Sequence, residues 1–471
     1  MEKNKSKEIL ILGDIFLDIF ESTEILKMSP ERPVPVLKPL NLTNLLGGAA
    51  NVANNIKSIG GNPFLISKLS NDLTSKKIKQ LLRKHKIKFK IISNKEYSSP
   101  IKKRIVQNDH QFCRVDDETY SKLKKKDEIE IIQFIKKNIN KFDSLIISDY
   151  SKGFLTENLI KSSIKVFKDK KKLIFTDPKN KNIEVYKGSN FICPNLKEFH
   201  EFFEYQKLEF NNNSTLKLFK KTNSDAFIVT KGSKGITVLF KKSKKVEILQ
   251  EDINVYDVTG AGDTFMGIWS YMISKNIDLI TSLKIASLAC IKIVQKKHTA
   301  VLSFTEFQKI IEEFCENKYL DINLKIILWK LVKLKIGVTN GCFDVLHSGH
   351  LHLLSNAKKK CDKLIVLLNS DSSIRKIKGK NRPMIKLGKR ISLLKMIRSV
   401  DAVEVFEEKT PEKIITKILP NFLFKGSDYK AKELAGYKII KNNGGMVKII
   451  KKLKNFSSTQ LIAQKKKLHL S

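Results

Sequence analysis

Two short strings hold residues whose types and spacing suit phosphate chemistry. The first is Asp257-Val-Thr-Gly260-Ala261-Gly262-Asp263-Thr-Phe265, three small residues ahead of a carboxylate. Where such a string opens a helix, the outward N–H groups and the helix dipole favour an anion. Gly260, Ala261 and Gly262 have no bulk to hold a phosphate away. Asp263, in the first turn, can take a proton from an attacking hydroxyl. The plainer reading is a capping Asp with two turn glycines. The second string is Thr339-Asn340-Gly341-Cys342-Phe343-Asp344-Val-Leu-His347-Ser-Gly-His350. A structural zinc site wants four ligands, usually with a second Cys/His pair, and Cys342 and Cys361 do not supply one. The alternative is phosphoryl chemistry: two imidazoles beside the N–H groups of a helix start can neutralise charge on a phosphoryl group in transfer.

The elements that must position these strings alternate along the chain. Apolar runs at Glu8–Leu12, Ser144–Ile147, Leu173–Thr176, Asn190–Cys193 and Ala226–Val229 suit strands buried on both faces of a parallel sheet. Helical patterns fall near 48–59, 73–85, 127–139, 156–167 and 213–221, and longer ones at 260–274, 279–296 and 304–315. This is the alternation of a doubly wound α/β domain. Val34–Leu40 and residues 89–115 alternate without helices between them, and predict a small antiparallel lid. A second α/β alternation has strands at Lys335–Val338, Lys363–Leu368, Ala402–Val405, Phe422–Phe424 and Val447–Ile450, and a last helix near 458–466. The expected division is residues 1–317, a packed or interfacial connector over 318–333, and 334–471.

The nine residues from Asp257 to Phe265 resemble the signature of the ribokinase-like carbohydrate kinases, the PfkB family. The resemblance implies that Asp263 is the general base and that the amides of Gly260, Ala261 and Gly262 bind phosphate. It also implies that Asp14, in Gly13-Asp14 ahead of Leu17-Asp18, binds sugar hydroxyls together with Gly47, Gly48 and Asn51. Asn195-Leu196-Lys197-Glu198 resembles the family's N-x-x-E motif, which implies nucleotide contacts there and Mg²⁺ held through water by Glu198. Thr230 and Gly232 match its nucleotide turn, and Lys179 lies where the family lines the phosphate path. Met28–Val36 together with Ser148–Gly153 looks like the heptose 7-phosphate kinase branch. One departure is His298-Thr299-Ala300-Val301, where the family usually has a glycine first. The second string resembles the HxGH signature of the cytidylyltransferase-like nucleotidyltransferases, a Rossmann-like α/β fold. There the likeness implies catalytic roles for His347, His350 and Lys425. It implies nucleotide contacts from Asn340, Gly341, Phe343, Asp344, Arg390, Ser457, Ser458 and Thr459, and substrate contacts from Asn369 and Asp371.

Together the two halves are similar to the bifunctional heptose 7-phosphate kinase/heptose 1-phosphate adenylyltransferase family. That likeness implies ATP as substrate in both reactions, Mg²⁺, a product destined for the lipopolysaccharide core, and a homodimer through the kinase lid. The sugar 7-phosphate needs a cation, with Arg104, Arg114 and Lys179 as candidates. The rival enzyme is another sugar kinase fused to a CTP-dependent transferase. The composition offers a third reading, because the 471 residues carry a net charge of +41. Only eight of the basic residues are Arg, however, whereas nucleic-acid readers rely on the bidentate Arg fork. The lysine excess reads as solvated faces, without a specific nucleic-acid partner. Asp14 and Asp18 interrupt the signal-like N-terminal run, and no stretch approaches a membrane span, so no membrane insertion is expected. Six cysteines without a CxxC pair point to a reducing cytoplasm.

Overall fold

The computed structural model describes residues 7–93, 97–107, 110–209, 211–242, 244–250, 255–296, 300–317 and 319–451. They fall into two compact units, divided between Ile310 and Ile311 within the helix Phe304–Cys315. Ser457, Ser458, Thr459, the expected last helix, His298 and Thr299 lie outside the described residues. Among the described residues no helix is long and apolar enough to cross a membrane.

The strands of the first unit are β1 (Glu8–Gly13), β2 (Ile15–Met28), β3 (Pro35–Gly48), β4 (Pro63–Leu69), β5 (Lys88–Ser93), β6 (Ile101–Gln107), β7 (His110–Asp117), β8 (Phe142–Ser148), β9 (Leu173–Asp177), β10 (Phe191–Ile192), β11 (Ala226–Thr230), β12 (Ile236–Phe240) and β13 (Lys245–Ile248). Nine of them form one sheet in the order β13-β12-β11-β10-β9-β8-β1-β4-β5. It is parallel from β11 to β5 and closes with the antiparallel hairpin β12–β13. Central strands are apolar because both faces are covered: Leu10, Leu12, Leu145, Ile147 and Ile174 join one core cluster. Asp72, Thr156 and Asp278 cap the helices that follow them, each accepting from a first-turn N–H. Strand order reverses between β1 and β8, the switch point where open α/β sheets bind ligands.

The lid is a four-stranded sheet ordered β3-β2-β6-β7. Two features correct the sequence reading. The β2–β6 pairing is parallel, so the lid is mixed. Strand β5, expected in the lid, pairs with β4 at the edge of the main sheet. Its sequence KFKIIS alternates because an edge strand buries few of its side chains, here Ile92.

The second unit takes the end of the helix Phe304–Cys315 and then the helix Ile322–Leu331, capped by Asp321 and burying Ile326, Leu328 and Trp329. The sheet that follows, β14 (Ile336–Gly341), β15 (Lys363–Asn369), β16 (Ala402–Phe406), β17 (Phe422–Gly426) and β18 (Met446–Ile450), is parallel throughout, in the order β16-β15-β14-β17-β18. Its switch point lies between β14 and β17. Leu364, Val366 and Leu368 pack with Leu354, Phe422 and Phe424 as its core.

Candidate active sites

In the first unit the reactive carboxylate is set by burial. Asp263 lies in the first turn of the helix Ala261–Ser274 and is 5% exposed. Tyr150 Oη donates to its Oδ1 at 2.7 Å and Asn51 Nδ2 to its Oδ2 at 2.9 Å. Burial pushes the Asp263 carboxyl up to about 6, against the pull of those two hydrogen bonds. The Asn51 amide is itself oriented, since its Oδ1 accepts from Asn55, whose own Oδ1 accepts from Thr264. Tyr150 remains protonated, its phenol raised well above the usual range by burial and by the Asp263 charge. The helix begins at Gly260, whose φ of 78° suits glycine, and a Cβ on Gly262 would meet no atom within 4 Å. The helix start is therefore open where a phosphate would rest.

The other expected residues meet this point from the sheet's carboxyl edge. Asn195 bridges to Thr230, which joins the ends of β10 and β11. Asn195 and Glu198 form a reciprocal capping box, and Glu198 also pairs with Lys179 at 2.9 Å. Leu196 and Lys197 are exposed beside them, and Gly232, φ 59°, faces open space. Asp177 ends β9; burial, then the charges of Glu198 and Asp263, hold its carboxyl well above the usual range. A carboxylate crowded by other carboxylates suits a cation, and Mg²⁺ is commonly held by one or two carboxylates with waters and phosphates. The donor set of Asp177 and Glu198 therefore fits it, although no group of three or more His, Cys, Asp or Glu suited to a metal occurs among the described residues.

Asp14 is placed differently from its expected role. Its carboxylate accepts from the backbone N–H groups of Tyr150, Lys152 and Phe154, which anchors the loop carrying Tyr150. Asp18, on β2, is 2% exposed and lies beside Gly47. A Cβ on Gly47 would lie 2.8 Å from Asp18 Oδ2 and 2.2 Å from the Phe16 ring, so only glycine fits there. Gly48, φ 62°, turns the lid into the helix Ala49–Ser58. Arg104 makes a buried ion pair with Asp18, Arg114 pairs with Asp116 at 2.7 Å, and Lys179 is held by Glu198. Lys102, which the sequence did not single out, stands 4.0 Å over the Phe16 ring and 5.5 Å from that of Tyr150. Its charge also pulls down on the Asp263 carboxyl.

In the second unit His347 stands just ahead of the helix Ser348–Lys358 and His350 lies in its first turn, with ring centroids 3.8 Å apart. Phe343, at φ 44°, packs on His350 at 4.9 Å and needs the small Gly341 beside it, since a Cβ there would come within 3.0 Å of its ring. Lys425, at the end of β17, donates to the Asn340 carbonyl at 2.7 Å, and burial lowers its ammonium to about 8. These residues gather at the carboxyl ends of β14 and β17.

Three expected ligand contacts are instead clamps. Arg390 is 1% exposed and donates to the carbonyls of Ile385, Cys342 and Asn369 and to Asp371 Oδ1. A guanidinium so engaged holds the loops around the site. Asp371 also accepts from Leu387 N–H, and Asp344 accepts from Met384 and Ile385 N–H and pairs with Arg382. Asn369 is buried and bonds Ser373 Oγ at 3.0 Å.

Comparison with known proteins finds two families along the chain. Residues 6–305 match the family described as pfkB family carbohydrate kinase, and residues 338–464 match the one described as cytidylyltransferase-like. A relative from Rhodopseudomonas palustris (strain BisB5), "Bifunctional protein HldE", is 31% identical over 467 residues, 96% of this chain and 95% of its own. The protein of that name from Coxiella burnetii (strain RSA 493) is 31% identical over 463 residues, 96% of each chain. Among solved structures, an Arabidopsis thaliana ribokinase complexed with ribose and ATP is 16% identical, TM-score 0.51, across 65% of this chain and 98% of its own. Phosphofructokinase-2 from Escherichia coli is 15% identical, TM-score 0.53, across 64% and 98%. These two show the ribokinase-like fold of the first unit. With two family models matched along the chain and relatives that cover 96% of it, the chain belongs to the pfkB carbohydrate kinases and to the family of bifunctional HldE proteins, with sugar kinase and nucleotidyltransferase activities in one polypeptide.

Proposed function

We propose that the first unit phosphorylates D-glycero-β-D-manno-heptose 7-phosphate at O1 and that the second joins heptose 1-phosphate to AMP, giving ADP-heptose for the lipopolysaccharide core. The observation that carries the reading is the Asp263 cluster, a buried carboxylate held by Tyr150 and Asn51 at an open helix start. In the kinase, Asp263 accepts the proton of the anomeric hydroxyl as that oxygen attacks the γ-phosphorus. The bond to the bridging oxygen breaks and ADP leaves. The amides of Gly260, Ala261 and Gly262 hold the charge on the transferring group. Asp18, Asn51 and the Gly47–Gly48 turn orient the sugar, and we assign its 7-phosphate to Lys102, with Arg104 behind it. Thr230, Gly232 and the start of the helix at Asn195 face the nucleotide. Bound near Glu198 and Asp177, Mg²⁺ would offset charge on the phosphates.

In the transferase, a phosphate oxygen of heptose 1-phosphate attacks the α-phosphorus of ATP and pyrophosphate leaves, with no covalent enzyme intermediate. His347, His350 and Lys425 donate to the oxygens that gain charge. Arg390, Asp344 and Asp371 act by holding the loops in register.

The enzyme is expected in the cytoplasm, where ATP is supplied. The lid supports a homodimer: Leu26, Met28, Val34, Leu40, Leu42, Phe112 and Val115 are large apolar side chains left exposed on it. A monomeric mass in light scattering would reject that. The function is tested by incubating the protein with heptose 7-phosphate, ATP and Mg²⁺, with and without a phosphatase for the 7-phosphate. ADP-heptose is expected only with the phosphatase. Asp263→Asn should abolish the first step alone and His350→Ala the second alone. Use of CTP in place of ATP, or one substitution stopping both steps in folded protein, refutes the assignment.

A further inference from the structure

The second unit has a cavity of about 430 Å³ at the edge of its sheet opposite the histidines. Lys363, Ala402 and Val403 line it at the starts of β15 and β16, whereas His347, His350 and Lys425 lie where strands end. It is therefore separate from the transferase site. Its other walls are the last turn of the helix Leu387–Lys395, the last turn of Phe304–Cys315 and the helix Ile322–Leu331.

Trp329 lines this cavity and is 2% exposed, and its enclosed Nε1–H has no hydrogen-bond partner among the described residues. The charged groups in the walls point to the kind of ligand the cavity takes. Glu312 pairs with Lys363 at 3.1 Å, and the Lys363 ammonium lies 5.9 Å from the Trp329 ring centre. Asp401 is held by Lys358 and by the Leu364 N–H, each at 2.7 Å. Glu316 is exposed. Lys325 and Lys395 make no ion pair among the described residues, and they are near neighbours: burial lowers the Lys325 ammonium and the like charge of Lys395 adds to the effect. Two ammonium groups on one cavity, without an ion pair among the described residues, form a receptor for an anion. The remaining wall is apolar, formed by Met396, Val400 and Val403. The volume falls within the range of small-molecule sites.

We propose that this cavity binds a small phosphate ester, with its phosphate between Lys325 and Lys395 and its ring or carbon chain on Met396, Val400 and Val403. A mononucleotide and a sugar phosphate share that chemistry.

The chain contains two tryptophans, so full-length protein labelled with 5-fluorotryptophan gives two fluorine resonances, which Trp269→Phe or Trp329→Phe assigns. Titration with AMP and, separately, with glucose 6-phosphate should move the Trp329 resonance saturably in at least one case, and the tighter ester identifies the source. Lys325→Glu with Lys395→Glu should weaken that response about tenfold or more, while pyrophosphate release in the absence of the ester stays unchanged. The proposal is overturned if neither ester moves the resonance at millimolar concentration, or if the response persists in the double variant. It is equally overturned if inorganic phosphate binds as tightly as both esters, since the apolar wall would then contribute nothing.

Discussion

Replacing Tyr150 by Phe tests the kinase chemistry at one atom. The variant loses the hydroxyl that donates to Asp263 and keeps the ring that packs edge-on against Phe16, with centroids 5.4 Å apart. A hydrogen bond to a charged acceptor contributes about 1.5–3 kcal/mol, and one pH unit corresponds to about 1.4 kcal/mol. Losing this bond should therefore move the Asp263 titration up by about one to two units from its starting point of about 6. A base works only when deprotonated, so its activity is lost as pH falls through its titration, and the acid limb of kcat should shift upward by that interval. At pH 7 the wild-type carboxyl is about nine-tenths ionised, and the variant between about half and a tenth. The kinase rate at pH 7 should fall about two- to tenfold, and the deficit should close by about pH 9. The assay is ADP release at saturating heptose 7-phosphate from pH 5 to 9, with pyrophosphate release from the transferase as the internal control. An acid limb that does not move, or a deficit equal at every pH, would show that Tyr150 does not act through Asp263.

The transferase should respond to pH in the opposite sense. Lys425 must keep its proton to offset phosphoryl charge, and burial lowers it to about 8, so pyrophosphate release should decline as pH rises through that value. Lys425→Met should remove this limb and cost on the order of 10²–10³ in rate. Arg390→Met leaves three carbonyls and Asp371 without the donor of a buried guanidinium, and should destabilise the second unit by about 3–5 kcal/mol in calorimetry with kinase activity retained. Gly262→Ala meets no atom and should fold normally, but its methyl group should raise the kinase KM for ATP on the order of tenfold or more; an unchanged KM would put the phosphate elsewhere.

Much of the fold was readable because strands buried on both faces are written as apolar runs, and both reactive strings stand at helix starts. What escaped had physical causes. Strand β4 carries Ser67 and Lys68 within its buried length, where Ser67 bonds the Gly13 carbonyl and Lys68 lies 4.0 Å over the Tyr97 ring, so its composition reads as loop. Strand β2 is buried over its first half and exposed over its second, and shows neither pattern throughout. Within the sites, residue type does not reveal which carboxylates already have donors. Asp14 and Asp18 are the same residue type four positions apart, and only the fold shows that loop amides occupy the first. The same limit hid Arg390, since an arginine that clamps carbonyls and one that grips phosphate look alike in a string of letters. Tyr150 stood in a string noticed for its likeness, but its reach to Asp263 spans 113 positions.

Both units place a helix start at the switch point of a parallel sheet, yet they set the proton inventory in opposite ways. The kinase must remove a proton from a hydroxyl, so it buries a carboxylate and restrains the resulting rise with two donors, which leaves a base that is ionised at neutral pH yet stronger than a solvated one. The transferase substrate is already an anion and needs no base, so its cluster consists of imidazoles and a lysine near the carbonyl of Asn340. The two reactions should therefore share a working window between about pH 6 and 8, set by Asp263 on the acid side and Lys425 on the alkaline side. Because one limb belongs to each unit, a substitution that narrows the window from one side must leave the other edge where it was. A change at Tyr150 that displaced the alkaline limb of pyrophosphate release would contradict that independence.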